Sequence, residues 1–351
     1  MLYNTDDLRI TGMQEVLPPI QLHQEWPITD LASETVFNAR SETQKILHGK
    51  DDRLVVIIGP CSIHDPDAAR EYASRLKPLI SELKNELQII MRVYFEKPRS
   101  VVGWKGLIND PYLDGSFKIN DGLRLARKLL LDLAEMGVPA GSEYLDLISP
   151  QYIADLISWG AIGARTTESQ AHRELASGLS CPVGFKNATD GGLQIAIDAC
   201  LSASRPHHFM SLTKAGHSAI FSTTGNPDCH VILRGGKAPN YDAASINESA
   251  EIMAKTGLKT RFMVDCSHAN SGKSYQQQEV VCRDVANQIA HGEDRIMGLM
   301  LESNLIAGRQ NVEKDVPLVY GQSITDACMA WDNSEVLLRE LAAAVRTRRQ
   351  K

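Results

Sequence analysis

Eight short apolar runs, each followed by a segment of helical periodicity, constrain this chain more than any other feature. The first run is the plainest: residues 54–58 (LVVII) are mostly β-branched and lead straight into Gly59-Pro60. A continuous apolar run stopped by turn residues reads as a strand buried on both faces. Apolar side chains at 69, 72, 73, 76, 79, 80 and 83 then predict a helix over 67–84. Further strands are expected at 87–94, 138–146, 161–166, 182–187, 230–234, 261–266 and 296–302. Helices are expected at 121–137, 150–160, 168–179, 192–204, 243–257, 276–291 and 333–348. Eight βα units are the count of a (β/α)8 TIM barrel, with a doubly wound open sheet as the alternative. Residues 1–45, broken by VLPPI at 16–20 and WPITD at 26–30, read as an irregular N-terminal extension, and residues 46–351 as the barrel. Within the barrel, 95–116 reads as a long loop and 209–222 as an inserted β-hairpin about a Lys-Ala-Gly turn.

Composition narrows the function classes. At 43% hydrophobic and 23% charged, 351 residues bury a large core. The net charge of −6 argues against a nucleic-acid or membrane-surface partner. The opening MLYNTDDLRI is polar, unlike a signal peptide, and no run suits a membrane span. Seven cysteines scattered without metal-finger spacing point to a reducing, cytoplasmic setting.

The carboxyl ends of the eight strands carry Cys61, Arg92, Glu143, Arg165, Lys186, Arg234, His268 and Glu302. All are polar or ionisable, and barrel geometry gathers that edge around one mouth. Any one of them alone is an ordinary solvated loop residue; eight in register make a site. Arg92, Arg165, Lys186 and Arg234, with Lys97 and Arg99 in the next loop, exceed what one carboxylate needs. They suit a substrate pair carrying about two phosphates and a carboxylate. Cys61, His268 and Glu302, with Asp326 on the last loop, form a mixed sulfur, nitrogen and oxygen set. Such a set suits manganese, iron, cobalt, copper or zinc over magnesium or calcium. Cys266 is a rival ligand, and Cys61 alone could equally be a buried thiol. The remaining cysteines read as structural.

Taken together, GPCSIHD (59–65), MRVYFEKPRS (91–100), GWKGLINDP (103–111), GAIGARTTESQ (160–170), PVGFKN (182–187), ILRGGK (232–237), VDCSHAN (264–270), LESN (301–304) and YGQSITDAC (320–328) resemble one family. It is 3-deoxy-D-arabino-heptulosonate 7-phosphate (DAHP) synthase, in its microbial, amino-acid-regulated form. The resemblance covers nearly the whole chain, and EKPR followed by GWKG is specific to the family. It implies a transferase that condenses phosphoenolpyruvate with erythrose 4-phosphate and releases phosphate, the first step of the shikimate pathway. It implies one divalent transition metal per subunit (Mn, Fe, Co or Zn) on Cys61, His268, Glu302 and Asp326. Arg92, Arg165, Lys186 and Arg234 would hold phosphoenolpyruvate beside Glu143, and Lys97, Pro98, Arg99 and Ser100 the erythrose 4-phosphate. Lys97 or a water on the metal would donate the proton. The family usually has Thr at position 100 and Gly at 188, where this chain has Ser100 and Ala188.

The same resemblance implies feedback by an aromatic amino acid, phenylalanine first and tyrosine second. Phe209, Ser211 and Phe221 of the hairpin would line the effector pocket with Leu147, Pro150, Gln151, Leu175, Leu179 and Ser180. Asp6, Asp7 and Ile10 of the extension would reach it from a neighbouring subunit of a homo-oligomer, a tetramer or a dimer. DDLRI, Ser180 and Ser211 look most like the phenylalanine-sensitive branch, while Phe221 keeps tyrosine open. Three alternatives remain: a sister synthase using arabinose 5-phosphate, a non-catalytic effector-binding barrel, and an aldolase with Lys186 as Schiff-base lysine.

Overall fold

The computed structural model describes residues 3–99 and 101–351; Ser100, expected at the substrate site, lies outside the described residues. In chain order the elements are α1 (Pro19–Glu25), α2 (Asp30–Leu47), β1 (Leu54–Gly59), α3 (Pro66–Glu82), β2 (Leu87–Arg92), α4 (Ile119–Glu135) and β3 (Ala140–Glu143). Then come α5 (Pro150–Ile153), β4 (Ile157–Ile162), α6 (Gln170–Gly178), β5 (Val183–Lys186), α7 (Gln194–Ala203), β6 (His208–Leu212), β7 (Ser218–Ser222) and β8 (Cys229–Leu233). The chain ends with α8 (Ala243–Thr256), β9 (Phe262–Asp265), α9 (Tyr275–Ala290), β10 (Ile296–Glu302), β11 (Ile306–Arg309), β12 (Gln322–Ser323) and α10 (Trp331–Arg348). Eight parallel strands close into a barrel in the order β1-β10-β9-β8-β5-β4-β3-β2.

Alternation along the strands explains the unbroken apolar runs. Val55, Ile57, Ile90, Trp159, Ala161, Ile232, Met263 and Met300 cluster inside the barrel. Their neighbours Val56, Ile58, Ile89 and Val231 pack outward in the larger core with the helices. At roughly 25 cal/mol per Å² of apolar surface, each fully buried Val or Ile contributes about 1.5–3 kcal/mol.

The extension is not irregular. Thr29 Oγ1 accepts from Ala32 N at 3.3 Å and caps α2, which buries Ala32, Val36, Ala39, Thr43, Ile46 and Leu47 along one stripe. Ile46 and Leu47 join the cluster inside the barrel. Arg40 Nη2 donates to Ala154 O and Ile157 O, both at 2.7 Å, and docks α2 on the start of β4. The expected division at 45/46 therefore falls inside a helix that is part of the barrel's packing.

A second difference concerns 150–166. The expected helix over 150–160 is one turn, α5, followed by a 3-10 turn at Ala154–Leu156. Residues 157–160 are already strand, and β4 ends at Ile162. Strand pairing on both sides and the inward placement of Trp159 override the local helical pattern. Arg165 consequently lies in the loop beyond β4. The inserted hairpin is present as antiparallel β6 and β7, with Phe209 opposite Phe221 and Ser211 opposite Ala219. The small pair β11 and β12 has no counterpart among the expected strands. Among the described residues, no helix is long and apolar enough to cross a membrane.

Candidate active site

The barrel mouth is built where each apolar run stops. Gly59 ends β1 so close to β2 that a Cβ there would stand 2.7 Å from Arg92 O. That approach carries Pro60 and Cys61 across the top of β2. Arg92, Glu143, Lys186 and Glu302 are the last residues of their strands, and Arg234 follows β8 directly. They line one cavity of about 380 Å³ together with Lys97, Pro98, Arg99, Arg165, His268 and Asp326.

Two buried ion pairs organise the floor. Arg92 Nη2 donates to Glu302 Oε1 at 3.0 Å, and its Nε donates to Pro60 O at 3.1 Å. Its guanidinium carbon lies 3.4 Å from the centroid of the Tyr94 ring, a cation–π stack. Lys186 Nζ donates to Asp265 Oδ2 at 2.8 Å. Burial works to raise the Asp265 carboxyl, but Lys186 and His268 outweigh it and hold it well below the usual carboxylate range. Arg165 and Arg99 are exposed arms: Arg165 Nη1 donates to Pro98 O at 3.2 Å, and Arg99 Nε to Trp104 O at 2.8 Å.

Beside these cations lies a cluster of soft and hard ligands. Atoms of Cys61, Glu302 and Asp326 come within 4.8 Å of one another. His268 lines the same cavity without joining that cluster. It holds a left-handed backbone at φ 56, and its Nδ1 lies 2.9 Å from Asp265 Oδ2, which leaves Nε2 as the ligand atom. Lys97 Nζ donates to Cys61 Sγ at 3.1 Å. Burial pushes the Cys61 thiol up and Glu302 adds to this, while Lys97 pulls it down.

Several residues at or near the mouth fall outside the expected strand-end groups, Asp265, Glu96 and Arg309 among them. Asp265 is fully buried and faces both Lys186 and His268. Its only sequence signal is a carboxylate within the apolar run of β9. Glu96, next to Lys97 in the same loop, is buried and accepts from Ser149 Oγ at 3.0 Å. Burial, then Asp146, raise its carboxyl to about 7. Arg309 reaches the cavity from β11, which the apolar runs do not reveal.

A second cavity, of about 990 Å³, opens beneath the hairpin. Pro150, Gln151, Leu175, Leu179 and Ser180 form one wall, and Phe209, Ser211 and Phe221 the other. The two phenylalanine rings stand 6.1 Å apart. Arg40, Asp155 and Lys214, none of them expected, add charge to its edge. Leu147 does not line this cavity, nor do Asp6, Asp7 and Ile10 of the same chain, all of which are exposed.

Residues 33–339 match the family model described as the DAHP synthetase I family. The chain belongs to that family. It is 62% identical over 349 residues to the phospho-2-dehydro-3-deoxyheptonate aldolase, Phe-sensitive, of Escherichia coli (strain K12), covering 99% of this chain and 100% of that one. Identity to the phospho-2-dehydro-3-deoxyheptonate aldolase of Haemophilus influenzae is 60%, covering 98% of this chain and 96% of that one. The solved structure of phospho-2-dehydro-3-deoxyheptonate aldolase from Francisella tularensis SCHU S4 superposes with a TM-score of 0.95 at 52% identity, covering 97% and 99% of the two chains. Membership makes this DAHP synthase a transferase of the first shikimate step.

The family implies a metal, and the DAHP synthase's own residues fit one. A thiol and two carboxylates converge, and the histidine beside them has its other ring nitrogen against a carboxylate, the usual support for a metal-bound imidazole. The cations line one cavity with His268, Glu302 and Asp326, and buried Cys61 lies against the two carboxylates, so two anionic substrates can be held next to a Lewis acid.

Proposed function

We propose that this DAHP synthase joins phosphoenolpyruvate to erythrose 4-phosphate at the barrel mouth and is inhibited by phenylalanine binding beneath the hairpin. The observation that carries the reading is that the Arg92, Lys186, Arg234 and Arg165 cations line one cavity with His268, Glu302 and Asp326, the two carboxylates clustering with buried Cys61.

Arg92 and Lys186, buried and ion-paired, and buried Arg234 bind the phosphate and carboxylate of phosphoenolpyruvate and set its C3 toward the aldehyde. Arg99 and Pro98 hold the erythrose 4-phosphate side, and exposed Arg165 closes over the phosphate from above. Cys61, His268, Glu302 and Asp326 would hold one Mn, Fe, Co or Zn ion, which supplies Lewis-acid polarisation of the aldehyde. Lys97, its ammonium already at the base of the cavity, delivers a proton to the aldehyde oxygen as the new carbon–carbon bond forms. Water adds at C2 of the former enol, and the resulting centre expels inorganic phosphate, with the cationic ring bearing the charge throughout.

Phenylalanine fits the second cavity: Phe209, Phe221, Leu175 and Leu179 take a ring, while Ser180, Ser211 and Gln151 meet the polar end. The relative named Phe-sensitive, 62% identical, supports that effector. Exposed Tyr3, Leu8, Ile10 and Met13 support packing of the arm on a second copy, bringing Asp6 and Asp7 to the effector's ammonium. The assembly is accordingly a homo-oligomer. The test is loss of phosphoenolpyruvate absorbance on adding erythrose 4-phosphate, with metal and after chelation, and with phenylalanine or tyrosine. Metal-dependent consumption halted by phenylalanine is expected. Consumption only with arabinose 5-phosphate, or none with any divalent metal, overturns the reading.

A further inference from the structure

One carboxylate joins the two halves of the site. Asp265, the last residue of β9, is fully buried. Its Oδ2 accepts from Lys186 Nζ at 2.8 Å and lies 2.9 Å from His268 Nδ1. Its Oδ1 accepts from Ser267 N at 3.0 Å and from Ser267 Oγ at 2.5 Å. Ser267 Oγ is in turn 2.7 Å from His268 Nδ1. Both routes from the imidazole therefore end on this carboxylate. Asn270 Nδ2 donates to Asp265 O at 2.8 Å, so the backbone that carries it is pinned as well.

We infer that Asp265 is a positioning residue that makes metal binding at His268 and phosphoenolpyruvate binding at Lys186 reinforce each other. The inference rests on the proposed reading of the site. Along the line from ligand site to substrate site the charges alternate: the cation on Nε2, the Asp265 carboxylate, the Lys186 ammonium, the substrate anion. With no cation at His268, the whole negative charge of Asp265 faces Lys186 and offsets the charge that the lysine offers to phosphate. A dication on Nε2 makes Nδ1–H a stronger donor and draws the carboxylate's charge toward the imidazole. More of the ammonium's field then falls on the substrate. By linkage the effect is reciprocal: bound phosphoenolpyruvate must tighten the metal by the same factor. The geometry suits this because both partners share a single oxygen, Oδ2, of a fully buried carboxylate, where screening is weak.

The experiment titrates metal-free enzyme with Co²⁺, read by the thiolate-to-cobalt absorption, and with phosphoenolpyruvate by calorimetry. Each titration is done with and without the other ligand. Native enzyme is expected to bind phosphoenolpyruvate several-fold tighter when metal-loaded. In Asp265→Asn, cobalt affinity should fall roughly 10- to 100-fold, and the ratio of phosphoenolpyruvate affinities with and without metal should fall to about one. Ser267→Ala removes only the hydroxyl route from the imidazole to Oδ1, leaves the backbone N–H of residue 267 on that oxygen and keeps the charge; it should lower the ratio while retaining cobalt binding, and it serves if Asp265→Asn does not fold. An undiminished ratio in either folded variant overturns the inference, because the coupling would then run directly between metal and substrate. Cys61→Ala separates this outcome from failure of the site reading. If Cys61→Ala binds cobalt as tightly as native enzyme, the ligand set itself is wrong. If it loses cobalt while Asp265→Asn keeps the native ratio, only the role of Asp265 falls.

Discussion

Glu96 offers the sharpest test of the electrostatics around the substrate loop. It lies between Phe95 and Lys97, is buried, and has Ser149 Oγ at 3.0 Å as its hydrogen-bond donor. Burial first, then the nearby Asp146 carboxylate, raise it from 4.5 to about 7. The folded protein thus prefers the neutral carboxyl, whereas the unfolded chain ionises it near 4.5. The group's contribution is fully present below pH ~4.5 and is lost as pH rises through about 7. At about 1.36 kcal/mol per pH unit, the whole difference is ~3 kcal/mol, most of it lost between pH 5 and 8. Glu96→Gln keeps the shape and remains neutral at every pH. Urea unfolding at fixed protomer concentration should therefore find the variant more stable than the parent by about 2–3 kcal/mol at pH 8, with the gap nearly closed at pH 5. Parallel stability–pH curves for the two proteins would refute the reasoning, since they would mean that the carboxyl is ionised in both states across this window.

Three further outcomes are expected. Cys61→Ala should abolish metal binding and turnover while leaving the circular dichroism spectrum and unfolding midpoint near native, because one ligand is removed and little packing is lost; full activity would exclude Cys61 from the site. Ser180→Phe should fill the cavity beneath the hairpin and raise the phenylalanine concentration for half-inhibition at least tenfold with the uninhibited rate little changed; unaltered inhibition would place the effector elsewhere. Asp155→Ala should cost about 3–5 kcal/mol in denaturant unfolding, because Arg127, fully buried and paired to both Asp155 oxygens at 2.8 and 2.9 Å, would be left as an uncompensated charge.

Where the sequence is legible, one physical pattern is responsible. Strands buried on both faces are continuous apolar runs, so their ends are abrupt, and the residues just past them are exceptions to the run. That logic points to Cys61, Arg92, Glu143, Lys186, Arg234, His268 and Glu302 from the residue pattern alone, and all of these but Cys61 line one cavity. It misses a group that the expected strand places inside its run: Asp265 falls between Val264 and Cys266 of the strand expected over 261–266, whereas β9 ends on it. It also misses helices whose inward face is small or polar. The stripe of α2 is Ala32, Val36, Ala39 and Thr43, too weakly apolar to stand out, although its end at Ile46 and Leu47 enters the barrel. The helix expected over 150–160 fails for the opposite reason. Local periodicity is present, but pairing of Ala140 with Ile157 and of Gly160 with Val183 claims those residues for the sheet.

The buried charges of the mouth follow from function more than from stability. A buried ion pair such as Arg92–Glu302 or Lys186–Asp265 carries a desolvation cost that its attraction barely offsets, so apolar residues of similar volume would hold the barrel together at least as well. What such pairs provide is cations already fixed before any substrate arrives, with no side-chain entropy left to lose. The exposed arms show the contrast. Among the described residues, the hydrogen bonds of the Arg99 and Arg165 side chains go to backbone carbonyls, Trp104 O and Pro98 O. Each uses a single N–H on that carbonyl, which leaves the rest of its guanidinium fork for a ligand's oxygens. A fixed floor and an exposed rim set different costs for binding: an anion on Arg92 and Lys186 would meet cations already held by buried carboxylates, and an anion on Arg99 would have to immobilise an exposed side chain.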